Sequence, residues 1–512
     1  MHISNRYFFL TSICRRFFTS LAILLLLVTC AANAGPWIEV GDSQLRSDIQ
    51  ILADAGVIRG PVSTWPLAWG NIVNDLDTSV SLKPFEMAAL ARVRRESRRQ
   101  MVVGEVHLDG RIALSDSAIE IRSFEDTPRE HSEIELSASW TGDNTAMNFQ
   151  ITKVDDPLDG KKWRGDGSYF GISVGNWMYS ISAQDRWWGP GWQGSLIMSN
   201  NARPIPALVI DRNSTRPFKT KWLSWMGPWD LYMMWGELEN DRDVPNANFF
   251  GARLSFKPIP SLEIGLSRTA QLCGDGRPCG SGVIEDMLLG RDNREDNVSA
   301  EEEPGNQLGG FDIRWSGKAF EQPLAIYTQW IGEDEGGQLP AKYMGQIGFE
   351  TWGQSDKWGT YRFYLEWSDT TCNFALYKGN DNTVPDCAYN HTIYTSGYRR
   401  YGRSIGHTFD NDARIFTLGG MLTDHKNNDW SFRLGVGNFN RKDNPKHRKP
   451  EINLNTVASV KTEYREIELG HKRDIGIGSI RLGLGYDYRK DTVTGIDTED
   501  TRAFIDWSVP IY

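Results

Sequence analysis

Hydrophobic residues recur at every second position through most of this chain, from about residue 102 to the C-terminus. The alternation is clearest in six segments, 134–140, 252–256, 262–266, 361–367, 432–436 and 480–486. Polar residues or glycine occupy the positions between, which predicts β-strands with one apolar and one polar face. The Pro-containing turn 257–260 separates the second segment from the third and predicts a hairpin.

The first hundred residues follow a different period. Three apolar residues at spacings of four and three predict a helix: Leu45, Ile49 and Leu52. Asp42 or Ser43 is placed to cap its start, and Gly56 to end it. A second helix is predicted to follow up to Leu76, and a third over 85–99. The sequence therefore predicts a helical region over 35–100.

The first 34 residues have the pattern of a secretory signal peptide. Three arginines precede the apolar run 21–28, and the small-x-small site 32–34 predicts cleavage before Gly35. The apolar run is too short to span a bilayer, which takes roughly 20 residues. Lipidation at Cys30 and twin-arginine export through the pair at 15–16 are the alternatives to the general secretion route.

Alternation alone also fits a soluble β-sandwich, whose apolar face points inward. Three further features favour a membrane barrel. Strands recur without helices to the last residue, aromatic residues cluster at strand ends, and long polar segments such as 283–305 and 371–398 alternate with tight turns. We therefore predict an all-β transmembrane barrel over 101–512, with on the order of 16–20 strands. The last strand, 503–512, ends in an aromatic residue but carries only half of the usual terminal signature.

Charge and cysteine content narrow the class of function. The net charge of −10 becomes −13 once the three arginines of 1–34 are removed, leaving 53 basic against 66 acidic residues. The basic surface of a nucleic-acid-binding protein is therefore absent. Four cysteines remain in an exported chain, which predicts two disulfides, Cys273 with Cys279 and Cys372 with Cys387. Free thiols or a metal site are the alternative, although no histidine lies at ligand spacing beside either pair.

Five short motifs resemble the Wzi family of capsule-attachment proteins. The most distinctive motif, 185–197, contains Trp-Trp-Gly-Pro-Gly-Trp. In chain order the five motifs are 60–67, 185–197, 225–229, 303–312 and 331–340. They occur in the family's order and span nearly the whole mature chain. The resemblance implies a barrel of about 18 strands with a small helical bundle at its periplasmic end. It also implies a lectin role, holding capsular polysaccharide on the cell surface. The cysteine pairs and the 371–398 loop are features of this chain that the family resemblance does not account for.

The 185–197 segment is the first candidate for carbohydrate binding. Trp187, Trp188 and Trp192 flank its Gly-Pro-Gly turn, and indole rings suit stacking on sugar faces with one N–H for a hydrogen bond. Asp185 and Arg186 are candidates to bond sugar hydroxyls or carboxylates. The alternative is that the indoles pack in the barrel wall and the two charges pair with each other in the lumen.

The acidic run Glu333, Asp334 and Glu335 is a second candidate, binding sugar directly or through Ca²⁺. A solvated acidic loop is the alternative, and we predict no metal site and no cofactor. Two Gly-x-Ser-x-Gly matches, 171–175 and 402–406, lie in a predicted strand and a polar loop, not at the strand-to-helix elbow that the motif requires. Ser404 and His407 leave a hydrolase as a distant alternative, and the chain is predicted not to be an enzyme.

Together with the family resemblance, the sequence predicts an outer-membrane lectin-like protein of a Gram-negative bacterium. Its expected role is to bind and anchor capsular or exopolysaccharide at the cell surface. Its expected partners are that polysaccharide, outer-membrane lipid and the barrel-assembly machinery, with no nucleic acid. A porin-like channel for small solutes is the first alternative, and it differs from a plugged barrel in its conductance.

Overall fold

The computed structural model describes residues 36–77, 79–289, 305–336, 339–373, 384–441 and 455–511. The predicted signal peptide, 1–34, lies outside the described residues. So do the side chains of Asp334 and Glu335, and parts of the two predicted long loops, 283–305 and 371–398.

The N-terminal region holds short strands and helices. In chain order they are β1 (Trp37–Ile38), α1 (Ser43–Asp54), β2 (Thr64–Trp65), β3 (Leu67–Ala68), α2 (Trp69–Ile72) and α3 (Pro84–Gln100). The carboxylate of Asp42 accepts from the Leu45 amide at 2.8 Å and caps α1, as predicted. The second predicted helix is shorter than expected, because α2 gives way to a 3₁₀ turn at Val73–Asp75.

Strands occupy most of the rest of the chain. They are β4 (Val106–Ser115), β5 (Ser132–Thr141), β6 (Thr145–Asp155), β7 (Trp163–Arg164), β8 (Tyr169–Val174), β9 (Trp177–Ser182), β10 (Trp187–Trp188), β11 (Ala207–Arg212), β12 (Trp229–Glu237), β13 (Asn248–Ile259), β14 (Leu262–Leu272), β15 (Gly305–Ala319), β16 (Gln322–Gly336), β17 (Leu339–Ser355), β18 (Gly359–Asp369), β19 (Arg399–Arg400), β20 (Arg403–Ser404), β21 (Ala413–Thr423), β22 (Asp429–Phe439), β23 (Thr462–Ile475), β24 (Gly478–Asp491) and β25 (Asp497–Pro510). One more helix, α4 (Ser281–Leu289), and a 3₁₀ turn at Ser224–Met226 lie between strands.

The strands form a closed antiparallel barrel. Across the described residues, 18 strands make its wall, because β10, β19 and β20 lie apart from it and the two-residue β7 pairs only with β6. The wall closes where β25 pairs with β4, with Phe504 opposite Ser115 and Pro510 opposite Asp109. A closed wall has no unpaired sheet edge.

The predicted apolar faces point outward. Exposed apolar side chains include Ile134, Leu136, Leu266, Phe363, Leu365, Leu434, Val436, Leu482 and Leu484. Charged side chains on the opposite faces are buried in the lumen, among them Arg253, Arg362, Glu366 and Arg433. An apolar exterior around a charged interior is the reverse of a soluble sandwich and matches a barrel in lipid.

The connections differ between the two ends of the barrel. Short turns such as 142–144, 260–261 and 476–477 lie at one end, called here the short-turn end, which also carries the longer connection 213–228. The opposite end, called the long-loop end, carries long connections such as 183–206 and 370–412.

The lumen is filled from both ends. Helices α1 and α3 occupy the short-turn end, where Arg314 of the wall pairs with Asp54 at 2.6 Å and Lys472 pairs with Asp42 at 3.0 Å. The 183–206 connection folds in from the long-loop end. The two fillings meet where β10 pairs with β2, which places Trp187 opposite Trp65.

Helix α4 departs from the sequence prediction, which assigned its segment to a polar loop. Val283, Ile284 and Met287 are spaced for one helical face, and they pack on outward-facing Ala270 and Leu272 of the wall. A short apolar run within a polar segment was therefore missed. In the part of the chain that the structure describes, helices long and apolar enough to cross a membrane are absent.

Candidate functional site

The 185–197 segment folds into the barrel interior. Trp187 and Trp188 form β10, and both side chains are fully buried. The Trp187 ring packs edge-on against Phe124 with ring centroids 5.3 Å apart, and its Nε1 donates to the carbonyl of Gly191 at 3.1 Å. Trp188 packs in the same manner against Tyr232, at 5.8 Å. Both rings pack in the barrel interior and not in its wall, where the alternative to sugar stacking placed them.

Trp192 reaches the charged layer of the lumen. Its Nε1 donates to Glu350 at 2.9 Å. The backbone amides of Trp192 and Gln193 donate to the carboxylate of Glu366, the second of them at 3.0 Å. The guanidinium of Arg46, from α1, lies 4.2 Å from the Trp192 ring centroid. Trp192 is therefore held from the wall and from the helical region at once.

Glu350 is the centre of this layer. It accepts from Arg314 at 2.8 Å and also from Arg362, and both arginines are almost fully buried. Arg314 continues to Asp54 at the C-terminal end of α1. Buried charges are tolerated only when they are paired and hydrogen-bonded, as these are. The network joins the wall, the helical region and the 185–197 segment into one packed unit.

The 384–412 connection covers this segment from the long-loop end. Tyr389 donates its hydroxyl to the carbonyl of Leu196 at 2.6 Å, and Tyr398 to that of Ile197 at 2.8 Å. A Cβ at Gly194 would lie 2.2 Å from His407 Nε2, so this glycine is needed for the close approach of the two connections. The 185–197 segment is thus enclosed on its long-loop side by the 384–412 connection and on its short-turn side by the helical region.

Both predicted disulfides are present. Cys273 pairs with Cys279 and Cys372 with Cys387, with Cα atoms 4.8 and 5.8 Å apart. The second links the two ends of 372–387, where the chain leaves the wall toward the covering connection. Tyr394 of that connection donates to the carbonyl of Cys273 at 3.0 Å, so the two linked regions are also in contact.

Asp185 and Arg186 have separate roles. Arg186 is buried and donates to the carbonyl of Ile205 at 2.8 Å and to the Tyr232 hydroxyl at 2.9 Å. The Asp185 side chain is 27% exposed and pairs with Arg129 at 3.0 Å. Burial raises the pKa of Asp185, and the positive charge of Arg129 opposes that rise. The two residues do not pair with each other.

Asp185 belongs to a charged group that sequence reasoning missed. Arg203 donates to Asp159 at 2.8 Å and to Asp166 at 2.7 Å, and its guanidinium lies 4.9 Å from the Tyr401 ring centroid. We call Arg129, Asp159, Asp166, Asp185, Arg203 and Tyr401 the mouth cluster. Its members come from four separate connections at the long-loop end, and no sequence motif links them. Guanidinium groups bind carboxylates, and a phenol ring suits a sugar face.

The acidic run is part of the wall. Glu333, Asp334 and Glu335 lie in β16, with Asp334 opposite Ala341 and Glu335 opposite Pro340. The Glu333 side chain is buried. The alternative of a solvated loop is therefore wrong for Glu333, because the strand continues through it. Groups of three or more side chains suited to a metal ion do not occur among the residues described.

The serine motifs do not form a catalytic arrangement. The first, 171–175, lies mostly within β8, and the second crosses β20. Ser404 and His407 are fully buried, and neither Ser404 Oγ nor His407 Nε2 hydrogen-bonds to any described residue. Burial lowers the pKa of His407 to about 3. The histidine is therefore neutral at physiological pH, and it does not hydrogen-bond to Ser404 Oγ as a general base would.

Comparison with known proteins decides the family. The family "Capsule assembly protein Wzi" matches residues 107–490, which is 384 of 512 residues. The chain belongs to this family. It is similar to the "Uncharacterized 55.8 kDa protein in cps region" of Klebsiella pneumoniae, with 28% identity over 92% of this chain and 89% of the relative.

A solved structure agrees in fold. The chain is 26% identical to Wzi of Escherichia coli, described as an outer membrane protein involved in group 1 capsule assembly and a carbohydrate binding β-barrel. The superposition has a TM-score of 0.77 and covers 93% of this chain and all of that one. As a member of the Wzi family, this protein is an outer-membrane β-barrel. The predicted family, fold class and location are confirmed.

Proposed function

We propose that this Wzi-family barrel binds capsular or a related extracellular polysaccharide and anchors it to the cell, without catalysing a reaction. The observation that carries the proposal is its likeness, over 93% of its length, to a carbohydrate binding barrel. The filled lumen supports it further, because a barrel plugged from both ends is poorly suited to passing solutes. The burial of Ser404 and His407 supports a role without catalysis.

We assign the polysaccharide to the long-loop end, with Asp185 and its mouth cluster as the contact surface. Arginines 129 and 203 suit the carboxylates of an acidic sugar, and Tyr401 suits a sugar ring. The buried residues Trp187, Trp188, Trp192 and Arg186 serve this surface from beneath, by fixing the connection that carries Asp185. Glu333, Asp334 and Glu335 lie where β16 reaches the same end, and we include them in the proposed site.

We propose two further partners. The outward apolar side chains, such as Leu136 and Val436, require outer-membrane lipid around the wall. The terminal strand β25 closes the barrel against β4, and we propose that barrel-assembly machinery recognises this strand. Lipid and the assembly machinery are partners in building the barrel, whereas the polysaccharide is the ligand that the finished barrel binds at the cell surface.

The test is deletion of the gene with complementation, followed by measurement of cell-bound and shed polysaccharide. We expect deletion to move polysaccharide into the medium and the wild-type gene to restore it. Arg203→Gln should restore it less well, while Arg489→Gln, which breaks a pair with Glu120 elsewhere at the long-loop end, should restore it fully. Unchanged retention after deletion would refute the proposal. A steady conductance of the purified barrel in planar bilayers would instead favour the porin alternative.

A further inference from the structure

The connection 213–228 differs from the other hairpin connections at the short-turn end. It has 16 residues, whereas the others, from 142–144 to 476–477, have between two and five. Short turns of outer-membrane barrels face the periplasm, so this connection lies beside the periplasmic leaflet of the membrane. Its last residues belong to the 225–229 motif, which takes no part in the polysaccharide site at the opposite end.

The connection folds back onto the outer side of the wall. Trp229 of β12 and Phe256 of β13 lie opposite each other in the strand pair, on the face that points to the lipid. Phe218 stacks on Trp229 with ring centroids 4.3 Å apart, and Trp225 packs edge-on against Phe256 at 5.7 Å. Phe256 is buried although its face of the strand points outward. The aromatic side chains of the connection therefore lie on the lipid side of the wall.

The 225–229 motif fastens the end of the connection to the wall. Gly227 has a φ of 66°, and a Cβ there would lie 2.0 Å from the carbonyl oxygen of Lys257. The Lys257 amide donates to the carbonyl of Pro228 at 2.9 Å. Glycine is needed at position 227, because both the backbone conformation and the close approach exclude a side chain. The motif therefore fixes Trp225 in place against Phe256.

The stretch 219–225 is exposed throughout. Trp222 is 88% exposed, Trp225 60% and Leu223 41%. Tryptophan is enriched where lipid meets water, because its ring is apolar and its N–H is polar. Trp430 of β22 also points outward at this end of the barrel. The exposed stretch is therefore placed to join an aromatic belt at the periplasmic surface of the membrane.

The same connection is strongly basic. Within 213–228 the charged residues are Arg216, Lys219 and Lys221, which gives +3 in a chain whose net charge is −10. All three side chains are exposed, and none is held in an ion pair among the residues that the structure describes. The acidic residues on either side along the chain, Asp211 and Asp230, are buried in the lumen. Three positive charges are therefore available to a ligand beside exposed indole rings.

We propose that this connection binds an anionic phospholipid of the periplasmic leaflet, with the phosphate at Lys219 and Lys221 and with Trp222 at the boundary between headgroup and acyl chains. Phospholipids form that leaflet of the outer membrane, and basic residues next to a membrane attract anionic headgroups. Lysine keeps its ammonium among the headgroups while its aliphatic stem lies along apolar surface. A second barrel is a poor occupant, because a symmetric contact would bring two sets of three positive charges together.

The test uses the full mature protein in mild detergent, titrated separately with phosphatidylglycerol and phosphatidylethanolamine and read by native mass spectrometry. The double variant Lys219→Gln and Lys221→Gln removes two charges. Its control, Lys318→Gln and Lys357→Gln, changes two exposed lysines at the same end, each within three positions of an acidic residue. Heat-modifiable mobility on gels checks that each barrel is folded. We expect the wild type to prefer phosphatidylglycerol. The double variant should lose about 30-fold in that affinity, at roughly five-fold for each charge, and the control should match the wild type.

A second arm separates the indole from the charges. Trp222→Ala should weaken the binding of both phospholipids to a similar extent, whereas the lysine variant should weaken only that of phosphatidylglycerol. A higher concentration of ammonium acetate should reduce the wild-type preference, because salt screens exposed charges. Equal affinity of the wild type for the two phospholipids, or equal losses in the lysine variant and its control, would overturn the proposal. So would a photo-cross-linking residue at position 222 that captures, in cells, a second barrel or a periplasmic protein in place of lipid.

Discussion

Glu366 offers the sharpest test of how the lumen is filled. Among the described residues its carboxylate accepts from the backbone amides of Trp192 and Gln193, from the Tyr327 hydroxyl at 2.6 Å and from Gln346 Nε2 at 2.7 Å. Two of these donors belong to the inward-folded connection and two to the wall. Glu366→Ala therefore removes the acceptor that fastens the Trp192 turn to β18.

The size of the effect follows from the stranded donors. Each buried donor left without an acceptor costs roughly 1–3 kcal/mol, and bonds to a charged group lie toward the upper part of that range. Four donors give on the order of 4–12 kcal/mol before water enters the space left by the side chain. The wall ladder itself is untouched, because its backbone pairs do not use this carboxylate.

We expect a folded barrel with a loosened plug. Heat-modifiable mobility should be kept, single-channel conductance should rise from near zero, and limited proteolysis should cut within 183–206. Glu466→Ala is the matched control, because Glu466 pairs with Arg433 in the lumen and accepts from Tyr464 without bonding to that connection. If Glu366→Ala and Glu466→Ala leave conductance and proteolysis equally unchanged, the hydrogen bonds of Glu366 do not hold the plug.

Three further outcomes are expected. Replacing Cys372 and Cys387 together by serine should lower unfolding stability by about 2–3 kcal/mol, since the disulfide closes a 15-residue separation; calorimetry in detergent would show it, and an unchanged transition would contradict it. Burial raises the pKa of Asp412 from 3.8 to about 7, so its proton is retained in the folded state and stability should fall as pH rises from about 4 to 7. Asp412→Asn should flatten that part of the pH profile, and a profile identical to wild type would exclude Asp412 as its source. Trp188→Ala should reduce cell-bound polysaccharide only in proportion to folded barrel, as packing requires; loss of polysaccharide at normal barrel levels would indicate direct sugar contact.

The fold could be predicted where local rules set the outcome. In a strand, neighbouring side chains must point to opposite faces. The alternation of Leu136 with Glu135 therefore predicted which side chain faces the lipid and which faces the lumen. The cap at Asp42 and the nearest-neighbour cysteine pairs also depend on residues close in sequence.

The candidate site could be predicted only in part, because its contacts are distant in sequence. Asp185 pairs with Arg129, 56 positions away, and Trp192 bonds to Glu366, 174 positions away. The alternation of apolar and polar residues along a strand does not predict which wall residue contacts an inward-folded connection. The Trp-Trp-Gly-Pro-Gly motif lies in the inward-folded connection, and its sugar-stacking role stays a prediction.

The shared carboxylate Glu350 bears on how this barrel works. It is reached by Arg314, which also holds α1, by Arg362 of the wall, and by Trp192 of the long-loop connection. A plug that has to move would need these contacts to break together, because the loss of one partner leaves a buried charge unsatisfied. A fixed plug instead holds the mouth cluster in place before any ligand arrives, which lowers the entropy lost on binding. A polysaccharide bound by many barrels at once then needs only weak affinity at each. Variants that loosen the plug without touching the mouth cluster, such as Glu366→Ala, should therefore weaken polysaccharide retention as well as raise conductance. If conductance rises while polysaccharide retention stays normal, a fixed plug is not needed for polysaccharide binding.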